Sequence, residues 1–384
     1  MIHVGTERMK AMARSEISNS EFQIPNKLQA PKLGRSDRTG NVRPGFGILN
    51  LCGLWILGFG ILLPAFAFAQ PFHLPTANRA LFEKGGEEKF FVGTAGKSWQ
   101  SGMFGCVRSE GYQMHEGLDI RAIKRDKRGE PLDPILAAAD GAIAYINKRV
   151  GTSNYGKYVV VRHTIDGLDI FTLYAHLSDF ASGLAAGKSV KAGEVIATMG
   201  RTSNTRERIS QERAHVHFEI NLRLSDNFSA WFKKEHPKDK DDHSMWNGMN
   251  MVGIDPRIVF LEQQTKGAKF NLLKFIQSRP ELCRVLVRDP NFSFVKRYPE
   301  LIRPNPLAQK EGTVAWEIAF DFNGVPIQLT PRAANEFKWT QKFKLLSVNA
   351  AEQAKNPCRK LVMRRGNNWE LTNQAMAFLD LLTQ

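Results

Sequence analysis

Apolar and polar positions alternate along the middle of the chain, and that alternation predicts strands. Val159-Val-Val-Arg-His163 and Asp169–Ala175 are β-branched or aromatic runs, with turn chemistry ahead of them at Asn154-Tyr-Gly156 and Asp166-Gly167. Ile135–Ile146 is broken by Asp140-Gly141, which predicts a hairpin rather than a helix. Ala186-Gly187, Gly193 and Gly200 punctuate further short strands, and His215-Val-His217 runs on through Phe218, Ile220 and Leu222 with a period of two. Helical periodicity is scarce here, so residues 104–262 read as an antiparallel β domain. Residues 70–103 form an entry segment ahead of it.

From about Thr265 the pattern changes. Phe270–Ile276 predicts a helix start that Pro280 interrupts, and Val314–Phe322 with Val325–Leu329 predicts a hairpin turning at Asn323-Gly324. Leu371–Leu382 is apolar at helical spacing, with Thr372 as its cap. Residues 265–384 therefore read as a separate α+β domain, and the fold class as mainly β with a C-terminal α+β domain.

The first 69 residues have a different texture. A long polar leader carries Arg35, Arg38 and Arg43 just ahead of the apolar run Phe46–Leu63, and Ala67-Phe-Ala69 closes the segment. Positive flank, apolar stretch and small-x-small ending predict a secretory signal peptide with cleavage before Gln70. The run also approaches membrane-spanning length, so a retained signal anchor is the alternative and would be the only membrane attachment.

Length and composition add bounds. A chain of 384 residues with 42% hydrophobic and 24% charged positions is long enough for two folded domains. The net charge of +15 favours a polyanionic partner. No nucleic-acid motif accompanies that charge, so nucleic acid is set aside, and charge alone does not choose between anionic lipid and an acidic cell-wall polymer. Beyond the leader the cysteines are Cys106, Cys283 and Cys358. An oxidising compartment allows a Cys283–Cys358 disulfide with Cys106 left single, and three buried thiols are the other reading.

Two short motifs carry the chemistry. Of nine histidines in the chain, three fall in His115-Glu-Gly-Leu-Asp119 and His215-Val-His217. On a strand, His215 and His217 point to one face. Both can reach one metal, or one can bind while its neighbour contacts a water there. His115 and Asp119 would lie about 13 Å apart on a straight strand, too far to share an ion, so the chain must bend between them, and Gly117 permits the bend. A catalytic zinc takes three protein ligands and an open position. His115, Asp119 and one of the 215/217 pair supply three, leaving one imidazole over. Tyr174-Ala-His176 adds another. Two neutral imidazoles beside such a site can divide the work, one taking a proton and one steadying the tetrahedral intermediate.

These stretches resemble the lysostaphin-type zinc metallopeptidases of the M23 group, the LytM-type domain. The resemblance rests on Phe104-Gly-Cys-Val-Arg108, His115-Glu-Gly-Leu-Asp119, Pro134-Ile-Leu-Ala-Ala-Ala-Asp-Gly141, Asn154–His163, Tyr174-Ala-His176-Leu-Ser178, Val190–Ile196 and His215-Val-His217-Phe-Glu219, in that order. It covers about residues 104–261. It implies Zn2+ on His115, Asp119 and His217, and catalysis by His176 and His215, with His215 nearest the water. It also implies a small antiparallel sheet with a sandwich-like groove, and peptidoglycan cross-links as substrate. Longer insertions at 124–133 and 222–252, and Thr202–Arg213 in place of a glycine-rich approach, leave the substrate preference open. The C-terminal region lies outside the resemblance.

Among the remaining candidates, His163 reads as structural, His236 and His243 as solvated in the charged loop Lys233–His243, with His243, beside Asp242, reaching the groove as the alternative, and Cys106 as a packing residue. The charged loop Lys124–Pro134 also reads as solvated. Glu219 shares the histidine face by alternation and can either orient a ligand or close a strand-end salt bridge. Together these features predict a periplasmic or secreted zinc endopeptidase of cell-wall peptidoglycan. The rival is a non-catalytic envelope scaffold that activates another wall hydrolase.

Overall fold

The computed structural model describes residues 71–384, so the predicted signal segment lies outside the described residues. Strands β1 (Gly105–Arg108) and β2 (Gln113–His115) form a small ribbon, followed by β3 (Leu118–Arg121), β4 (Pro134–Leu136), β5 (Gly141–Asn147), β6 (Tyr158–Ile165) and β7 (Leu168–Ala175). Then come β8 (Asp179–Phe180), β9 (Ser189–Val190), β10 (Val195–Thr198), β11 (His215–Arg223) and β12 (Met251–Ile254). The main sheet runs β12-β11-β7-β6-β5-β9, with β3 also on β11, and all its pairings are antiparallel. The alternation read from Val159–His163, Asp169–Ala175 and His215–Leu222 is thus the centre of this sheet.

Its two faces differ. Val159, Val161, Tyr174, Val216, Phe218 and Ile220 point into the large core. Tyr158, Val160, Phe171, Leu173 and Ala175 form a smaller apolar layer on the other face. By the period of two, that second face also carries His215, His217, Glu219 and Asn221 from β11. A strand buried on both faces, with four polar residues on one of them, signals a site. Burying those groups is unfavourable unless each finds a partner.

Ile135–Ile146 is not a hairpin. It contains β4 and β5, but these belong to different sheets: β4 pairs with β10, whereas β5 pairs with β6 and β9. Asp140 turns the chain between them by accepting from the Ala192 amide and the Lys191 ammonium, a tertiary anchor that periodicity cannot reveal.

In the C-terminal region, β13 (Cys283–Val287), β14 (Ala315–Phe320), β15 (Pro326–Arg332) and β16 (Phe343–Val348) form a sheet ordered β15-β14-β13-β16. The β14–β15 hairpin turns at Asn323-Gly324 as expected, and Pro326 and Pro331 are tolerated because β15 is an edge strand. The last helix, Asn373–Leu382, is capped by Thr372, whose Oγ1 accepts from the Ala375 amide at 3.0 Å. A two-stranded ribbon, β17 (Val362–Arg365) with β18 (Asn368–Leu371), precedes it.

This region shares one hydrophobic core with the main sheet, and the described residues form one compact unit. The Tyr298 hydroxyl illustrates the join, donating to the Asp169 carbonyl at 2.9 Å from 129 residues away. Among the described residues no helix is long and apolar enough to cross a membrane.

The cysteine pairing differs from the Cys283–Cys358 expectation. Cys106 of β1 is bonded to Cys358, 252 residues apart in sequence, and Cys283 is a buried free thiol. Cys283 begins β13, an interior strand, and its side chain packs in the core. Long-range docking of the C-terminal segment against β1 decides the pairing, and spacing holds no trace of it.

Candidate active site

β2 ends at His115 and β3 begins at Leu118, so the chain leaves one sheet and enters another within the first motif. In the β3–β11 register Asp119 lies opposite His217, and His215 opposite Arg121. The expected bend is present, and Gly117 is needed there for close approach. A Cβ at Gly117 would sit 2.5 Å from the Phe218 carbonyl oxygen and 2.9 Å from both His217 Nε2 and Glu219 Cγ. No side chain fits that gap.

Three atoms converge. His115 Nε2 is 3.1 Å from His217 Nδ1 and 3.1 Å from Asp119 Oδ1, and His217 Nδ1 is 3.0 Å from the same oxygen. All three residues are buried. The far nitrogen of each ring is already committed: His115 Nδ1–H donates to the Met103 carbonyl at 2.7 Å, and His217 Nε2–H donates to Glu219 Oε1 at 2.8 Å. In neutral rings the facing nitrogens therefore carry lone pairs. Two lone pairs and a carboxylate oxygen meet with no donor among them, an arrangement that only a cation satisfies. Tetrahedral N/O ligation with bonds near 2.0–2.2 Å places ligand atoms at about this mutual spacing, so the donor set fits zinc.

The electrostatics agree. Burial pushes the His217 imidazole down, but its bonds to Asp119 and Glu219 outweigh burial and lift it to about 9. Without a metal, a proton on His217 fills the cation's place. Burial pushes Asp119 up, and the surrounding imidazoles reverse that and hold its carboxyl well below the ordinary carboxylate range. Its second oxygen, Oδ2, accepts from the Arg108 guanidinium at 2.7 Å. Glu219 is likewise fixed: the Tyr155 hydroxyl donates to Oε1 at 2.6 Å and Asn221 Nδ2 donates to Oε2 at 2.7 Å. Glu219 thus orients His217, and among the described residues it closes no salt bridge to a lysine or arginine. Metal-binding histidines depend on such outer partners for tautomer and basicity.

His176 and His215 stand beside this group, their rings 4.9 Å apart. His215 Nδ1–H donates to the Arg213 carbonyl at 2.6 Å, which leaves Nε2 facing the group, 3.4 Å from Asp119 Oδ1. His176 Nδ1–H donates to the Thr202 carbonyl at 2.8 Å, leaving its Nε2 free. Burial lowers both imidazoles from the usual histidine range, His176 the more strongly. Both are therefore neutral at pH 7. His176 also has φ of +62°, unusual for a non-glycine residue and a form of strain often found at functional sites. The Thr202 carbonyl is brought in by Gly156, where a Cβ would lie 2.3 Å from that oxygen.

An open cleft of about 700 Å3 is lined by Asp119, His176, His215 and His217. His243 lies in its wall rather than in solvent. It is buried, its Nδ1 meets the Tyr145 hydroxyl at 3.0 Å, and its Nε2–H donates to the Thr152 carbonyl at 2.9 Å. His163, by contrast, is structural, held between the Asp140 carbonyl and the Thr172 hydroxyl. His236 lies beside Phe232 and Asp239, outside the cleft lining. The 124–134 loop is anchored as well as solvated: Glu130 accepts from the Arg201 guanidinium at 2.8 and 2.9 Å and from Gln211 at 2.7 Å.

Sequence reasoning did not single out Arg108, Tyr155 and Asn221 as supports of the site. Asn221 continues the polar alternation of β11 and was legible in principle. Arg108 and Tyr155 arrive from other elements and were not.

Fold and site together define a metallopeptidase domain. The model of peptidase family M23 matches residues 113–228. Lipoprotein NlpD of Yersinia enterocolitica is 33% identical over 95 residues, which are 84% of that protein and 25% of this chain. The chain belongs to peptidase family M23, whose members act on peptidoglycan peptides. Cell division protein DipM of Caulobacter vibrioides is 36% identical over 108 residues, 28% of this chain, and the chain spans only 14% of its length. Among solved structures, the catalytic domain of lysostaphin from Staphylococcus simulans aligns with 45% of this chain and 88% of its own, at 18% identity and a TM-score of 0.24.

Proposed function

We propose that this protein is a zinc-dependent endopeptidase that hydrolyses peptide cross-links of bacterial peptidoglycan in the cell envelope. His115 Nε2, Asp119 Oδ1 and His217 Nδ1 would hold the zinc, which when bound supplies a Lewis acid able to polarise a peptide carbonyl and acidify a water. The observation that carries the reading is the convergence of three acceptors without a donor, next to two neutral imidazoles in an open cleft.

The chain's own residues supply the proton chemistry. A water between His215 Nε2 and His176 Nε2 finds an acceptor for each O–H. His215 takes one proton at Nε2 as the water attacks, and His176 holds the other. Once protonated, the His215 imidazolium is a donor for the developing oxyanion and then for the leaving amine. The Arg213 and Thr202 carbonyls keep both rings turned toward the cleft throughout. Arg108 keeps Asp119 aimed.

Three features support an envelope location: the signal-like pattern of residues 1–69, the Cys106–Cys358 disulfide, which suits an oxidising compartment, and a relative named as a lipoprotein. A net charge of +15 suits adsorption to an anionic wall. Residues 104–262 would act as the peptidase domain, with 70–103 and 265–384 flanking it. The test is zinc content of the purified protein followed by release of soluble muropeptides from sacculi. About one zinc per chain and chelator-sensitive release are expected. Metal-free protein that releases nothing but activates a separate hydrolase would replace this reading with the scaffold.

A further inference from the structure

One end of the cleft is built by the C-terminal region, which the peptidase chemistry above does not use. Asn323 and Arg359 line the cleft together with Glu116, the residue after His115. Two devices bring them there. The disulfide fixes Cys358 to β1 and so places the next residue, Arg359, at the cleft. The β14–β15 turn is docked through Asn323 Nδ2, which donates to the Gly253 carbonyl at 2.7 Å, and through the Phe104–Phe322 ring contact. Gly253 adjoins the metal group's supports, since a Cβ there would lie 3.1 Å from both Asn221 Oδ1 and the Glu116 carbonyl oxygen.

The polar groups at this end are incompletely used. Arg359 Nε–H donates to the Asn323 carbonyl at 3.2 Å, which fixes the plane of the guanidinium. Among the described residues no carboxylate lies within ion-pair distance of Arg359, and its two terminal nitrogens make no hydrogen bond. Burial pushes Arg359 down from the usual arginine range, with Glu116 and Asp321 opposing. Asn323 is 2% exposed, and its Oδ1 has no hydrogen-bond partner. A guanidinium at the cleft, with its plane fixed and its terminal donors free, suits a ligand that brings a carboxylate.

We propose that Arg359 and Asn323 form a carboxylate-binding subsite that selects cross-link peptides bearing a free carboxylate near the scissile bond, over uncharged glycine-type bridges. The Arg359 fork takes the carboxylate, and the Asn323 carbonyl oxygen holds the guanidinium in its plane. The C-terminal region thereby completes the substrate groove. This rests on the peptidase reading given above, but the subsite can be tested apart from turnover.

The test uses two synthetic peptides that differ only in one group beside the scissile bond, a free carboxylate or its carboxamide. Their binding to the zinc-loaded full chain carrying His215→Ala is measured by calorimetry. The carboxylate peptide is expected to bind ~10–100-fold more tightly, as a lost charged hydrogen bond implies. Adding Arg359→Gln should abolish the difference, and Arg359→Lys should restore part of it. In the cleaving protein, Arg359→Gln should raise KM for the carboxylate peptide more than KM for the carboxamide. Equal binding of the two peptides would overturn the subsite, and that comparison requires no change at Arg359. Selective binding without any cleavage by the unmutated protein would leave the subsite standing and refute the endopeptidase instead.

Discussion

Replacing Glu219 by Gln removes one charge from the support of His217 while keeping its shape. Oε1 accepts from His217 Nε2 at 2.8 Å and from Tyr155 at 2.6 Å, and Oε2 accepts from Asn221 Nδ2 at 2.7 Å, so an amide with its oxygen toward His217 keeps the first two bonds and turns its NH2 to Asn221, whose own amide must flip to accept it. A hydrogen bond to a charged group contributes about 1.5–3 kcal/mol, or ~10–100-fold in an equilibrium. Outer partners of metal-binding histidines have effects of that size. A second term runs the other way. At pH 7 the metal must displace a proton from His217, whose imidazole sits at about 9. Two pH units amount to about 2.7 kcal/mol. Glu219→Gln lowers that imidazole and so relieves part of the competition. The comparison therefore belongs at pH 9.5, where His217 is mostly deprotonated in either protein. Zinc affinity, read against a chromophoric chelator, should be ~10–100-fold weaker in the variant at pH 9.5, with a smaller gap at pH 7. Equal affinities within about twofold at pH 9.5, in variants that melt like the parent, would refute the role given to Glu219.

Further outcomes follow from individual contacts. Gly117→Ala places a Cβ 2.5 Å from the Phe218 carbonyl and 2.9 Å from His217 Nε2, so zinc content should fall and stability drop by roughly 1–3 kcal/mol in chemical denaturation. Replacing both Cys106 and Cys358 by Ser opens a loop of 252 residues and should lower stability by roughly 2–5 kcal/mol in the same assay, whereas Cys283→Ser should leave the disulfide count unchanged. Burial lifts the Asp321 carboxyl to about 7. A raised acid favours the fold in its protonated form, so this contribution is complete below about pH 4 and lost as pH rises through 7. Asp321→Asn keeps an acceptor for the Asn323 and Val325 amides and should flatten the fall in melting temperature between pH 5 and 8.

The strands that carry the site were legible because they alternate: β6, β7 and β11 follow the period of two, and the same rule put His215, His217 and Glu219 on one face. The bend at Gly117 followed from geometry, because His115 and Asp119 cannot share a point on a straight strand. What escaped depends on tertiary docking. Asp140 separates β4 from β5 through contacts with Lys191 and Ala192, and Cys358 reaches Cys106 because the C-terminal segment folds back on β1. The approach of Arg359 and Asn323 to the cleft is of the same kind. Their neighbours in sequence carry no catalytic pattern, and only the shared core brings them near His115.

The most direct test of the central claim is mass spectrometry of muropeptides from sacculi digested by the zinc-loaded protein, in parallel with His215→Ala. New amino and carboxyl termini at a peptide cross-link are expected with the parent and none with the variant. Intact cross-links after digestion by the parent, or the same new termini with His215→Ala, would contradict it.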